Sequence, residues 1–355
     1  MKQQYLRIAL IFFVWMGINQ SALSNDSVKM RMNWKHQFQF AGYYMAKEKG
    51  FYREADIDVD LLEHEGGNKL DVYQELSTGG VQFAAIGPAA VDYFLDGSQI
   101  VALGVVFQQT PRAWISLASK KLNTKEDLMG KRFAFVKRKK LRETGAILQK
   151  IGLSTDDIQV VDISYGVEAL INDEVDFIDA YISNEVFSLV RRNIIHSEKR
   201  PIDYGLDFYG DGLFSNKDLL RKNPDLVERF REASFKGWKY AFENIEETVD
   251  VILSKYNDSL QKSREALLFE ARQLIRLSSY PSIEIGDMSD ERWLRNAMML
   301  NPERHLSKKQ IEPFLYKPDA NTLNRWLVVF ALMLLIGGLL VSSFKLTRRE
   351  KHSKR

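Results

Sequence analysis

Along residues 28–182 the apolar residues keep changing their period, and few folds accept such a chain. Strand-like runs VKMRMNW (28–34), IDVDLLEH (57–64), QFAAIG (82–87) and IVALGVVF (100–107) are separated by helical stretches at Phe40–Lys49, Asn68–Ser77 and Ala89–Leu95. Alternation of this kind predicts parallel sheets covered by helices on both faces. It restarts after Arg112–Leu117 with KRFAFV (131–136), a helix over Arg142–Ile151, DIQVVDI (157–163), a helix over Val167–Asn172 and VDFIDAYI (175–182). Two α/β units are therefore expected. Beyond Gly212 the pattern is helical almost throughout, with a long amphipathic run from Pro224 to Phe242 that Asn223 is suited to cap. The chain is expected to leave one α/β lobe (about 28–112 and 212–312), build a second (about 113–211), and return to cover the first with helices. Two lobes joined by two crossings leave a cleft, where α/β proteins hold small ligands.

The ends carry different signals. MKQQYLRIALIFFVWMGINQSALSN sets Lys2 and Arg7 before an apolar run from Ile8 to Ile18 and small residues at Ala22 and Ser24, the order of a signal peptide over residues 1–24. Trp326–Phe344, WLVVFALMLLIGGLLVSSF, carries no charge and is long enough, at about 1.5 Å per residue, to cross about 30 Å of hydrocarbon as a helix. A stalk over 313–325, with Pro313 and Pro318, precedes it, and a basic tail over 345–355 follows. The positive-inside tendency puts that tail in the cytoplasm. The expectation is a single-pass inner-membrane protein whose main domain, residues 25–312, stands in the periplasm.

The formal net charge of +3 is carried by the two ends, and the body between them is mildly acidic. That argues against nucleic acid as a partner, since phosphate binding needs concentrated basic surface. The chain has no cysteine, which excludes a disulfide framework, a thiolate nucleophile and a thiolate metal site. Its five histidines (36, 64, 196, 305, 352) lack metalloprotease spacing, and there is no nucleophile elbow or P-loop. No catalytic group, metal or cofactor is assigned.

The densest segment is NWKHQFQFAGYYMAKEKGFYREADIDVDLL (33–62). Asn33, Trp34, His36, Phe40 and Tyr43 fall in its strand-to-helix loop and first helical turn, the position that faces the cleft in such a fold. The aromatic residues interleave with Lys35, His36, Gln37 and Gln39 at neither strand nor helix period, which favours a binding surface over core. Gly87 and Pro88 follow the run QFAAI, where they fit either backbone N–H groups near the cleft or a plain turn.

These residues, together with GGVQFAAIGPAAVDYFLDGSQIVALGVVFQQTP (79–111), DAYISNEVF (179–187) and YGLDFYGDGLFSNKDLLRKNPDLVERFREASFKGWKYAFEN (204–244), resemble a known family. It joins bacterial periplasmic thiamine-pyrimidine-binding proteins to the fungal thiamine pyrimidine synthases, within a group that includes sulfonate and taurine binding proteins. The resemblance covers roughly residues 28–300. It implies a two-lobed type II periplasmic-binding fold that closes on one small molecule, typically a 4-amino-5-substituted-2-methylpyrimidine. Such a ring calls for aromatic walls, for which Trp34, Phe40, Tyr43 and Tyr181 are candidates, and for a carboxylate or amide at its edge. Asn184 and Glu185 are the edge candidates, Glu185 being equally able to act as a first-turn acid facing the helix dipole. Asp211, with Tyr209, approaches from the second crossing.

The synthase branch uses a cysteine-rich cluster that this chain lacks, so a binding role is expected over catalysis. A receptor delivering an aminopyrimidine to an ABC permease is one expectation. The other is a sensory ectodomain lacking its own output module, because WKHQFQFAGYYMAKEKGFYREA also resembles ectodomains joined to kinase or cyclase modules; such a chain has lost that module, signals through a partner in the membrane, or uses the helix only as an anchor.

Overall fold

The computed structural model describes residues 25–64, 71–136, 142–163 and 166–318, which two five-stranded sheets organise. In the first, β1 (Asp26–Met32) lies between β2 (Ile57–Leu62) and β3 (Phe83–Ile86), both parallel to it. The strand β10 (Gly212–Asn216) inserts antiparallel between β3 and β4 (Ile100–Val105). The second sheet runs β7 (Gln159–Ile163), β6 (Arg132–Val136), β8 (Phe177–Tyr181), β5 (Arg112–Leu117), β9 (His196–Lys199), with β5 antiparallel to β8 and β9.

The sheets are therefore mixed, which corrects the expectation of parallel pairing throughout. Both reversed strands, β5 and β10, are the first that the chain enters after crossing between sheets, so each starts at the edge where the parallel strands end. The sequence hid β9 and β10 for different reasons. HSEK has no apolar alternation, and GLFSN is a short, fully buried run that leads straight into helices. The central strands β3 and β10 are buried along their whole length, as strands covered on both faces are, while edge strand β2 alternates buried and exposed.

The principal helices are α1 (Ala41–Glu48), α2 (Arg142–Lys150), α3 (Glu185–Arg191), α4 (Pro224–Glu243), α5 (Ile245–Lys255), α6 (Arg264–Ser278) and α7 (Asp290–Leu300). The start of α4 follows its sequence signal: Asn223 accepts from the Leu226 N–H at 3.2 Å, with Pro224 in the first turn. Across α1 and α4 the backbones nearly touch. A Cβ on Gly237 would stand 2.2 Å from the Gly42 carbonyl oxygen, and one on Gly42 would stand 2.1 Å from the Trp238 ring. Beneath this crossing Phe230 stacks on Phe83 with ring centres 3.7 Å apart, tying α4 to the first sheet.

The folded part runs past residue 312. Phe314 is fully buried and edge-on to Trp293, Leu315 bridges to Ala102 on β4, and the Tyr316 N–H donates to the Ala102 carbonyl at 2.9 Å. The first residues of the expected stalk thus cover part of a strand edge. Among the described residues no helix is long and apolar enough to cross a membrane; α4 has the length, at 20 residues, but carries charge along its outer face. The expectation of a single-pass inner-membrane protein is corrected on that finding. The expected leader (1–24), span (326–344) and tail (345–355), and the stalk from 319 on, lie outside the described residues.

Candidate functional site

Because β1 and β3 are parallel, Asn33 and Gly87 follow them at one edge of the first sheet. Because β10 is reversed, Asp211 begins at that same edge. The three meet there. Asn33 Nδ2 lies 3.3 Å from each Asp211 carboxylate oxygen, and a Cβ on Gly87 would stand 3.3 Å from Asp211 Oδ1. Gln39, in the 3-10 turn Phe38–Phe40, donates through Nε2 to Asp211 Oδ2 at 2.5 Å and to Asn33 Oδ1 at 3.3 Å. Burial raises the Asp211 carboxyl above the usual carboxylate range, with Gln39 and Asn33 opposing the rise.

The second sheet presents a matching edge. Arg112 opens β5 and Tyr181 closes β8, paired directly across antiparallel strands, so their side chains share a face. The Arg112 guanidinium lies 5.5 Å from the Tyr181 ring centre, donates to Asp179 Oδ2 at 2.9 Å and pairs with Glu143 Oε1 at 3.4 Å. Thr110 Oγ1 donates to the other Glu143 oxygen at 3.1 Å, and Thr144 Oγ1 donates to Asp179 at 3.2 Å. Burial pushes the Glu143 carboxyl up to about 7; Arg112 opposes that rise and Asp179 adds to it. Burial also raises Asp179, against Arg112.

The two edges are electrostatic neighbours. The charge on Arg112 acts on Asp211, and that on Asp211 acts on the Tyr181 hydroxyl. Tyr73, from the helix Val72–Ser77, is within reach of Asp211, Glu143 and Arg112, and its ring stacks on Tyr93 at 4.3 Å. Among the described residues this setting holds three carboxyls, Asp211, Glu143 and Asp179, around one guanidinium.

The remaining sequence candidates scatter. Trp34 is half-buried beside this edge in sequence, and its carbonyl accepts from the His64 N–H at 3.0 Å. His36 joins a different cluster: its Nδ1 lies 2.9 Å from the Tyr44 hydroxyl, its N–H donates to Glu63 at 3.2 Å, and its ring meets Tyr256 edge-on. Burial lowers its pKa, with Glu63 opposing. Phe40, in the 3-10 turn, is fully buried, and Tyr43, in the first turn of α1, is buried edge-on to Trp238 at 5.6 Å, with the Asp211 charge acting on its hydroxyl. Tyr209 is also core, its hydroxyl accepting from the Ser289 N–H at 3.0 Å under the Arg292 guanidinium. Pro88 is buried and closes a turn, its carbonyl accepting from the Val91 N–H at 3.2 Å. Glu185 Oε2 accepts from the Tyr181 N–H at 3.0 Å, and Asn184 contacts Lys262.

Gln39, Tyr73, Arg112, Glu143 and Asp179 were not singled out from sequence. Arg112 and Glu143 each carried a signal: one stands at the restart of the strand pattern, the other in the first turn of a helix that follows a strand. A separate open cavity of about 600 Å³ is lined by Arg142, Gly145, Ala146, Gln149, Leu153 and Leu300 among others. Helical spacing puts those α2 residues on the face opposite Glu143 and Thr144, so the cavity is a different feature. Among the described residues no group of three or more His, Asp or Glu could hold a metal ion.

Two sheets, each entered by a reversed crossing strand, with polar residues at their facing edges, define the α/β periplasmic-binding-protein class. The periplasmic aliphatic sulphonate binding protein SsuA of Escherichia coli shares that fold with a TM-score of 0.61, at 15% identity over 82% of this chain and 92% of its own. The chain belongs to the NMT1/THI5-like family, whose model matches residues 37–248. Among its relatives, the riboflavin-binding protein RibY of Chloroflexus aurantiacus is 26% identical over 64% of this chain and 66% of its own length. A formylaminopyrimidine-binding protein of Halalkalibacterium halodurans is 21% identical over 81% of this chain and 89% of its own. A 4-amino-5-hydroxymethyl-2-methylpyrimidine phosphate synthase of Legionella pneumophila is 23% identical over 63% and 72%. Small-molecule binding proteins thus stand among both its sequence relatives and its structural neighbours.

Proposed function

We propose that this chain is an extracytoplasmic solute-binding protein whose ligand is a small aminopyrimidine of the thiamine-precursor type, delivered to an ABC-type permease. The observation that carries the reading is the excess of carboxyls over cations where the two sheet edges face each other. A 4-aminopyrimidine offers an amino donor beside a ring-nitrogen acceptor. An ionised carboxyl accepts from the first, and a carboxyl kept protonated by burial donates to the second. Asp211, whose oxygens already accept from Asn33 and Gln39, suits the acceptor role, and Glu143, pushed up to about 7 by burial, suits the donor role. A sulfonate offers acceptors only, so it has no donor for the Asp211 carboxyl, which costs affinity. Tyr73 and Tyr181 supply flat apolar faces for the ring. The formylaminopyrimidine-binding relative, aligned over most of both chains, supports the same ligand class.

RibY supports a second reading, a flavin, whose larger ring also carries pyrimidine-type edges. Isothermal titration of the purified full chain with formylaminopyrimidine, riboflavin and an alkanesulfonate separates these. Saturable binding of formylaminopyrimidine alone is the expected result, and binding confined to riboflavin or to the sulfonate would overturn the assignment.

A further inference from the structure

Lys262 lies in the turn between α5 and α6, on the half of the molecule built around the first sheet. Its side chain is 12% exposed and pairs at 3.0 Å with Glu270 on α6, whose side chain is wholly buried. The same ammonium donates to Asn184 Oδ1, which follows β8 of the second sheet. The other Glu270 oxygen accepts from the Gln39 N–H at 2.9 Å, and the Gln39 side chain donates to Asp211. One unbroken series of polar contacts therefore runs from Asn184 through Lys262, Glu270 and Gln39 to the carboxyl at the candidate site.

Two further observations mark Asn184 as a docking point. It holds the N-cap position of α3 but makes no side-chain capping bond, although asparagine is among the best caps; its acceptor is given to Lys262 instead. Beside it Phe187 of α3 packs on Phe269 of α6, with ring centres 5.5 Å apart. A charge pair buried this deeply offers little net stability over apolar side chains of the same size, because desolvation offsets the attraction.

We propose that Lys262 is a positioning residue that couples closure of the two halves to the ligand contacts of Gln39 and Asp211. The inference rests on the cleft reading given above. With the halves together the ammonium bonds to Asn184 and Glu270 at once; with them apart Asn184 turns to water and Lys262 keeps Glu270. The bond to Asn184 exists in one state alone, so it biases the population toward closure. A ligand that needs the closed arrangement binds more tightly in proportion to that population.

Because the chain has no cysteine, spin labels can be placed cleanly on the full-length protein at exposed Asp60 and Asp156, one on each half. Pulsed EPR then reads the distance between them, with and without formylaminopyrimidine. Asn184→Ala, which leaves the Lys262–Glu270 pair intact, is expected to move the ligand-free distribution to longer distances and to weaken formylaminopyrimidine binding about tenfold. Lys262→Met should do the same, and Lys262→Arg should restore part of both. If Lys262→Met fails to fold, Asn184→Ala carries the test. Affinity lost without any change in ligand-free distances would make Asn184 a plain ligand contact and overturn the proposal. Unchanged ligand-free distances with unchanged affinity would overturn it as well. Should the wild type not bind formylaminopyrimidine, the ligand reading fails, while the ligand-free comparison still decides the coupling.

Discussion

Replacing Glu143 by Gln removes a proton whose binding differs between the folded and unfolded chain. The Glu143 side chain is 11% exposed, held between Arg112 and Thr110, and burial carries its carboxyl from an ordinary 4.5 to about 7. Between those two values the native protein keeps a proton that the unfolded chain has already released. The contribution to stability is therefore complete below about pH 4.5, falls as pH rises, and is lost above about pH 7. At about 1.4 kcal/mol for each tenfold change in proton affinity, the loss comes to about 3 kcal/mol. Gln keeps the shape and can still accept from Thr110, but it has no such proton. Asp179, Asp211 and Glu185 are raised by burial too; they act in both proteins and largely cancel in the comparison. Urea unfolding of the ligand-free full chain at pH 4.5, 6 and 8 measures the difference directly. The variant should gain about 3 kcal/mol on the wild type across that range, and a difference that stays flat with pH would refute the assignment of a protonated, buried Glu143.

At the α1–α4 crossing, Gly237→Ala puts a methyl group 2.2 Å from the Gly42 carbonyl oxygen and 2.6 Å from Ala46 Cβ, so the helices must part. A loss of about 2–3 kcal/mol is expected, read as a lower thermal midpoint; an unchanged midpoint would mean that the two backbones are not in contact. Asp211→Asn replaces an acceptor by a donor opposite the amide groups of Asn33 and Gln39. Formylaminopyrimidine affinity should fall at least about tenfold. Titration showing wild-type affinity would remove Asp211 from the site.

The periodicity of the chain made most of the fold legible, because strands covered on both faces and helices with one buried face leave distinct apolar spacings. What it concealed was direction. GLFSN has no period to read, and nothing local says that it enters the sheet reversed. The candidate site suffered from the same limit. Asn33, Gly87 and Asp211 could be marked because each sits at a strand boundary, but that they meet depends on β10 being antiparallel. The aromatic segment misled in the other direction. Its lack of period reflects a 3-10 turn, Phe38–Phe40, followed by a helix buried over most of its surface, so Phe40 and Tyr43 are buried while the polar Gln39, between Phe38 and Phe40, reaches the candidate site. Glu143 and Arg112 needed tertiary contact to stand out, since neither type of residue is unusual at the start of a helix or strand.

Reversed entry also explains why the site and the joint between the halves involve the same residues. Both crossings reach their next sheet at the edge where the candidate site lies, so Asp211 and Arg112 are at once the last residues of a connection and the first of that candidate site. Asp211 shows this most directly. Its carboxylate takes the donations from Asn33 and Gln39, while its backbone carbonyl accepts from the N–H groups of both Val106 and Phe107, each at 3.0 Å, on the other crossing segment. Thr110 and Phe208 add a bond at 3.1 Å, and Gly210 brings the segments so close that a Cβ there would stand 2.8 Å from Phe107 Cβ. Any rotation of one half on the other that bends these paired segments must therefore turn the Asp211 carboxylate as well. On the proposed reading, ligand contact and closure are linked through the backbone here, and through Lys262 on the side chains. A substitution that loosens the crossing, such as one that forces a Cβ in at position 210, is expected to weaken binding even though it touches no ligand.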